Sequence, residues 1–385
     1  PSGFKKLKRT IKIAIANQDG DALAQAITDL ANDDSKAAVD LILKAALAVP
    51  TGNVFVATAD ALESMHSDSA LKVINARVSK KGGHPGVKIL CIDGLAGHDD
   101  DATGAALGAA LTDKRPQVLR AALAAIRKRK ASAGKAVPGL IDLLERLRKR
   151  PDMLILNEVN TALAEITGKY FENIEDWRKY WEVKKASFRP QTGGTLPAGM
   201  TTGERAGKVP TFFGTEVRSE RLVFVIDTSG SMEGDRLAKC KAQLKGCIQA
   251  LNARSRFTIV SFSHTIKVWS PKLLAASGKN KGRAFEFVGG LKASGNTYTL
   301  SAMLSGLDIK DADAIILLSD GMPTEKDNKG EMLGQETILE QIDAENRFKK
   351  WRVDTFGFEG VAGGSLSKFM RELAEANNGT FTVIK

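Results

Sequence analysis

The chain of 385 residues reads as an α + α/β protein of two domains: an N-terminal α-solenoid, residues 1–189, and a C-terminal doubly wound, mostly parallel sheet, residues 217–385. Three observations predict this. Proline-containing breaks recur through the first half, from Pro85 to Pro116 in 31 residues and from Pro116 to Pro151 in 35. A Gly-, Thr- and Pro-rich stretch, residues 190–216, reads as a linker between two compositions. Beyond Arg221, continuous apolar runs alternate with helical periodicity, the pattern of strands covered on both faces by helices.

The first half has almost no strand signal. Apolar residues fall at helical spacing in Asp40–Leu47, Val87–Leu95, Ala105–Leu111, Val118–Ile126, Val137–Leu147 and Leu154–Ile166. The breaks are His84-Pro85-Gly86, His98-Asp99-Asp100-Asp101, Lys114-Arg115-Pro116 and Arg150-Pro151-Asp152. Proline suits a helix start because its φ is already helical and its missing N–H has no partner there anyway. Lys114-Arg115-Pro116-Gln117 and Lys149-Arg150-Pro151-Asp152 nearly repeat one another. A two-helix unit of this length buries its apolar face against the next unit, which is how solenoids are built. These breaks and repeats resemble HEAT repeats; a generic helical bundle is the alternative. Trp177, Tyr180 and Trp181 then read as a cap over the last apolar face, or as a stacking platform for bases.

In the second half, strands are expected at Leu222–Ile226, Phe257–Phe262, Ala314–Leu318, Val353–Phe358 and Phe381–Ile384, with a short edge strand within His264–Trp269. Helices are expected at Asp235–Leu251, Leu300–Leu307, Gln335–Phe348 and Leu366–Ala376. Ligands of such sheets gather at the carboxyl ends of the strands. Two strands lead into aspartates there. Asp227-Thr228-Ser229-Gly230-Ser231 puts a carboxylate and two hydroxyls on one loop, and Ser319-Asp320-Gly321 supplies the second carboxylate. Ser294-Gly295-Asn296-Thr297-Tyr298-Thr299 adds a hydroxyl loop before a helix. An all-oxygen set of this kind suits Mg²⁺, with Mn²⁺ or Ca²⁺ as alternatives, the Mg²⁺ ligands lying at about 2.0–2.1 Å. Hydroxyls are weak neutral ligands, so such an ion still seeks an anionic oxygen, which a partner's carboxylate would supply.

These residues resemble the von Willebrand factor A domain and its metal-ion-dependent adhesion site, over about residues 217–385. Asp227, Ser229 and Ser231 match the family's first metal motif, Thr297 its second-loop threonine and Asp320 its third-loop aspartate. Gly295-Asn296-Thr297 departs from the Gly-Gly-Thr of many members. The resemblance implies a Rossmann-like sheet and a metal touched by Ser229, Ser231 and Thr297, with both aspartates acting largely through water. It also implies a non-enzymatic interaction scaffold whose partner offers an Asp or Glu carboxylate, as in bacterial proteins that join HEAT-like repeats to an A domain. No enzyme pattern competes. His264 is the sole histidine of this half, Cys240 and Cys247 share a helix face as core residues, and the Gly360–Gly364 loop lacks the Lys-Ser/Thr of a phosphate cradle.

The net charge is +11, and Lys114–Arg150 holds twelve basic residues against two acidic ones. Arg127, Lys128, Arg129, Lys130, Arg146, Arg148, Lys149 and Arg150 fall near the ends of consecutive helices and form a candidate anion-binding face for nucleic acid or an acidic partner. The plainer reading is a solvated surface with bases at helix C-termini. Two rival functions follow: RNA binding in the manner of Ro-type ribonucleoproteins, and an adaptor for an AAA+ ATPase. No run of 18 apolar residues exists, so no membrane span is expected. Cys91, Cys240 and Cys247 read as reduced buried thiols, which favours the cytoplasm, while the missing initiator Met leaves a removed signal peptide open.

Overall fold

The computed structural model describes residues 2–129, 132–149, 151–190, 209–358 and 364–385. It divides into two compact units, residues 1–205 and 206–385. The described part of the first unit is all helical: α1 Ser2–Ala16, α2 Gly20–Ala31, α3 Lys36–Ala48, α4 Gly52–Glu63, α5 Asp68–Ser79, α6 Pro85–Gly94, α7 Asp101–Ala110, α8 Pro116–Arg127, α9 Val137–Lys149, α10 Met153–Thr167 and α11 Ile174–Lys184.

Local chemistry sets these boundaries. Asp19, Ser35, Ser67, Asp100 and Asp152 each accept a backbone N–H in the first turn of the following helix, which satisfies a donor the helix itself cannot. Pro85 and Pro116 open α6 and α8. The even-numbered helices from α2 to α10 pack on one another in sequence, and the odd-numbered ones from α1 to α11 form a second layer. A period of 33 residues shows in the hydrogen bonds as well. The Ser67 backbone N–H donates to Asp34 Oδ2 at 2.8 Å, and the Ser132 N–H donates to Asp99 Oδ1 at 2.8 Å. Stacked helix pairs tied at a fixed interval are the packing of a helical solenoid. At its end Trp177 is fully buried, its ring edge-on to Phe171 at 4.9 Å, which is the arrangement of a cap.

The second unit is a sheet between helices. After the hairpin β1 Thr211–Phe212 and β2 Thr215–Glu216 come β3 Arg221–Asp227, α12 Asp235–Ala250, β4 Arg256–Phe262, β5 Ile266–Val268, β6 Leu274–Ala275, α13 Gly278–Gly289, α14 Thr299–Leu307, β7 Ala314–Leu318, α15 Gln335–Asn346, β8 Arg352–Phe358, α16 Ser365–Ala376 and β9 Phe381–Ile384. The strand order is β5-β4-β3-β7-β8-β9, with β6 also pairing β4. Pairing is parallel along β4-β3-β7-β8-β9, and the short β5 and β6 are antiparallel. Successive side chains of a strand point to opposite faces. Accordingly Leu222, Phe224 and Ile226 join the core beneath α12 and α13, while Val223 and Val225 join the core beneath α14, α15 and α16.

Two features depart from the sequence reading. Residues 211–216, expected in the linker, form the β1–β2 hairpin, and Phe212 is buried with its ring 4.9 Å from that of Phe356. The Thr/Gly-rich composition on either side hid this anchoring aromatic and its neighbour Phe213, whose ring meets those of Phe356 and Phe358. Helix α13 was not anticipated because Gly278, Gly282 and Gly289 dilute its apolar stripe, leaving Ala284 and Val288 to bury it. Linker residues 191–208 lie outside the described residues.

Candidate metal site

The chain passes from β3 to β4 on one side of the sheet and then to β7 on the other side of β3. Loops leaving β3 and β7 therefore diverge to opposite faces, and a crevice opens between their carboxyl ends. Parallel pairing of Ile226 with Leu318 brings Asp227 and the Ser319-Asp320 turn side by side. The three loops are stapled by their backbones. Gly230 N–H donates to Gly295 O at 2.9 Å, Ser294 N–H to Thr228 O at 2.8 Å, and Thr324 N–H to Thr297 O at 2.9 Å.

All five predicted ligand residues fall on these loops. Asp227 is 0% exposed; its Oδ1 accepts the Ser229 N–H at 2.7 Å and its Oδ2 accepts the Ser319 hydroxyl. Ser229 Oγ and Ser231 Oγ lie 3.0 Å apart, and Ser231 Oγ donates to Asp320 Oδ1 at 2.6 Å. Thr297 joins them through Gly321, where a Cβ would lie 2.9 Å from Thr297 Oγ1 and 3.3 Å from Ser231 Oγ. The absent side chain at 321 thus leaves the space in which those hydroxyls face one another. Gly295 has φ +76°, so the left-handed conformation of the second loop falls on glycine and leaves Asn296 in an ordinary one. His264 packs against Gly295 where a Cβ would be, at the exposed rim.

Burial pushes the Asp227 carboxyl up from 3.8 to about 6, with the Asp320 charge adding to it, against the lowering effect of the Ser319 and Ser229 hydrogen bonds. Two buried carboxylates with mostly neutral neighbours are short of positive charge. Hard oxygens, two of them anionic sites, around a space kept open by glycine fit a divalent cation such as Mg²⁺. Among the described residues no group of three or more His, Cys, Asp or Glu is placed to hold a metal, so the fit rests on hydroxyls together with the carboxylate pair.

Four further residues shape the site and were not picked out from the sequence. Ser319 holds Asp227. Thr324 Oγ1 accepts the Thr297 N–H at 2.9 Å. Glu325 Oε1 accepts Ser301 N–H at 2.9 Å, and its other oxygen accepts the Leu300 N–H, which caps α14. Arg236 Nη1 donates to Asp320 Oδ2 at 2.7 Å. Ser319 and Thr324 stand within the third-loop motif, which was a usable signal; Arg236 sits in α12, and nothing in the sequence tied it to Asp320.

With this geometry in place, comparison with known proteins is informative. The sequence profile of the von Willebrand factor type A domain matches residues 220–383. Residues 220–383 form a von Willebrand factor type A domain. Among curated relatives, human inter-alpha-trypsin inhibitor heavy chain H4 is 33% identical over 123 residues, covering 29% of this chain and 13% of its own. Heavy chain H1 of Mesocricetus auratus is 32% identical over 119 residues, covering 28% of this chain and 13% of its own. The chain spans about an eighth of the length of these relatives, 13% in both cases. A solved von Willebrand factor type A structure from Catenulispora acidiphila is 26% identical over 44% of this chain and 40% of that one, with a TM-score of 0.36. Such domains are usually non-catalytic modules of protein interaction and adhesion, and they often bind divalent cations.

The basic residues of the first unit are partly committed elsewhere. Arg127 forms a bidentate pair with Glu165, both contacts at 2.7 Å. Arg129 is buried and donates to the backbone oxygens of Leu95 and His98, and Arg146 donates to Leu111 O at 2.7 Å. Arg127 and Arg146 are nevertheless exposed, as are Lys128, Arg148 and Lys149, so Arg129 alone of the described members is buried; Lys130 and Arg150 lie outside the described residues. Helix α8 packs in one layer with α6 and α10, and α9 in the other with α7 and α11. All three cysteines are buried, and burial pushes the Cys91 and Cys247 thiols up to about 12 and Cys240 up as well, the opposite of an activated nucleophile. Residues 359–363 of the glycine-rich loop lie outside the described residues. No helix among the described residues is long and apolar enough to cross a membrane.

Proposed function

We propose that this chain is a non-enzymatic interaction protein whose A domain holds Mg²⁺ or Mn²⁺ and captures an acidic side chain of a protein partner. The observation that carries this reading is the set of Asp227, Ser229, Ser231, Thr297 and Asp320 around the Gly321 gap, with both carboxylates buried. Ser229, Ser231 and Thr297 would touch the ion, and Asp227 and Asp320 would balance its charge. The bound ion supplies a Lewis-acidic position at which a partner's Asp or Glu oxygen is held. Ser319, through its hydroxyl, keeps Asp227 turned toward the site, and the backbone staples between the loops fix the spacing of the hydroxyls. We read the stacked helix pairs of the first unit as HEAT-like repeats that present a second binding surface.

Calorimetric titration of the full chain with Mn²⁺ tests the reading. Saturable binding of one ion per chain is the outcome it requires, with loss of that binding in Asp227→Ala. Identical titrations of the two proteins would sink it.

A further inference from the structure

Arg236 is out of place by ordinary helix electrostatics. It stands in the first turn of α12, where the positive end of the helix dipole disfavours a cation. It is nevertheless held on two sides. Nη1 lies 2.7 Å from Asp320 Oδ2 and 3.3 Å from Ser231 O, and the guanidinium sits 5.9 Å from the centre of the Phe358 ring. The Asp320 side chain is 0% exposed and that of Arg236 is 40% exposed, so the pair joins a buried anion to a cation that can swing toward water.

We infer that Arg236 is a built-in counter-cation of the metal site, neutralising Asp320 when no ion is present and competing with the ion for that carboxylate. This rests on the metal reading above. The charge balance carries it. Asp227 and Asp320 are two buried carboxylates, and one guanidinium meets one of them. Burying a charge without a partner is costly, so the guanidinium stabilises the ion-free site. A divalent ion arriving there meets a positive charge already paired with one of the two carboxylates that would balance it. The binding equilibrium therefore includes breaking or weakening the Arg236–Asp320 pair, and the site loads less readily than its ligand set alone would give.

The test is Mn²⁺ titration calorimetry on the full chain, comparing wild type, Arg236→Gln, Arg236→Lys and Asp227→Ala, with melting curves of each in EDTA and in Mn²⁺. Removing one unit charge beside a divalent ion under solvent screening is worth on the order of tenfold in affinity. Arg236→Gln is expected to bind Mn²⁺ about that much more tightly than wild type, and Arg236→Lys to stay near wild type. In EDTA, Arg236→Gln melts lower than wild type and gains more on adding Mn²⁺. Equal or weaker Mn²⁺ binding by Arg236→Gln, beside a wild type that binds and an Asp227→Ala that does not, overturns the competition and leaves the metal reading standing. Absence of binding in wild type but not in Arg236→Gln supports the competition strongly. Absence in both overturns the competition together with the metal reading.

Discussion

Replacing Asp227 by Asn should stabilise the ion-free A domain at neutral pH, although it removes a ligand. The Asp227 carboxyl is fully buried, and its affinity for a proton rises from the ordinary 3.8 to about 6. At 1.36 kcal/mol per pH unit this corresponds to about 3 kcal/mol. Because the folded state holds the proton more tightly than the unfolded one, this contribution is fully present below pH 3.8 and is lost as the pH rises through about 6. The amide introduced by Asp227→Asn would carry no charge to bury and would keep an acceptor for the Ser229 N–H. Hydrogen exchange of peptides covering β3 and β7, read by mass spectrometry, reports the opening free energy of this part of the sheet directly. In EDTA at pH 7.5 the variant is expected to be better protected by up to about 3 kcal/mol, with the gap closing toward pH 4. Mn²⁺ at a hundred times its dissociation constant adds about 2.7 kcal/mol to wild type and nothing to the variant. Faster exchange of the variant than of wild type in EDTA at pH 7.5, or equal protection of both by Mn²⁺, would overturn this expectation.

Three other outcomes follow from the same geometry. Ser319→Ala frees Asp227 Oδ2 from its hydroxyl donor and should weaken Mn²⁺ binding by roughly 10–100-fold, as loss of an orienting partner does, with the fold intact by circular dichroism. Glu325→Ala uncaps α14 and should cost about 1–2 kcal/mol in chemical denaturation, since two backbone N–H groups and the Ser301 hydroxyl lose their acceptor; an unchanged midpoint would exclude the cap. Gly379→Ala places a Cβ 1.7 Å from Val353 O, backbone that cannot yield cheaply, and should destabilise the A domain by more than about 4 kcal/mol or prevent its folding, seen as loss of protection in β8 and β9.

The sheet was legible because its strands are read by composition alone. Leu222–Ile226 and Ala314–Leu318 are apolar runs that only a sheet covered on both faces would bury, and each lies within one residue of the observed strand. The five candidate ligand residues could be picked out because they fall at strand ends, in short loops after strands or before a helix. Arg236 and Glu325 were not, since each acts on a partner more than twenty residues away and its spacing carries no period. Phe212 and Phe213 were hidden for a related reason: the rings they pack on, Phe224, Phe356 and Phe358, come from strands distant in the sequence. The basic stretch was legible in a different way. Its twelve charges were legible as a total, but the partners that neighbouring helices supply were not: Glu165 for Arg127, and backbone oxygens for Arg129 and Arg146, of which Arg129 alone is buried.

In the function proposed above, Asp227, Ser229, Ser231, Thr297 and Asp320 enclose one divalent cation. Diffraction from crystals of the full chain grown in Mn²⁺, collected at the manganese absorption edge, tests it most directly. One anomalous peak is expected between the ends of β3 and β7, in contact with the hydroxyls of Ser229, Ser231 and Thr297. No peak there at saturating Mn²⁺, with Asp320 still paired to Arg236, would contradict it.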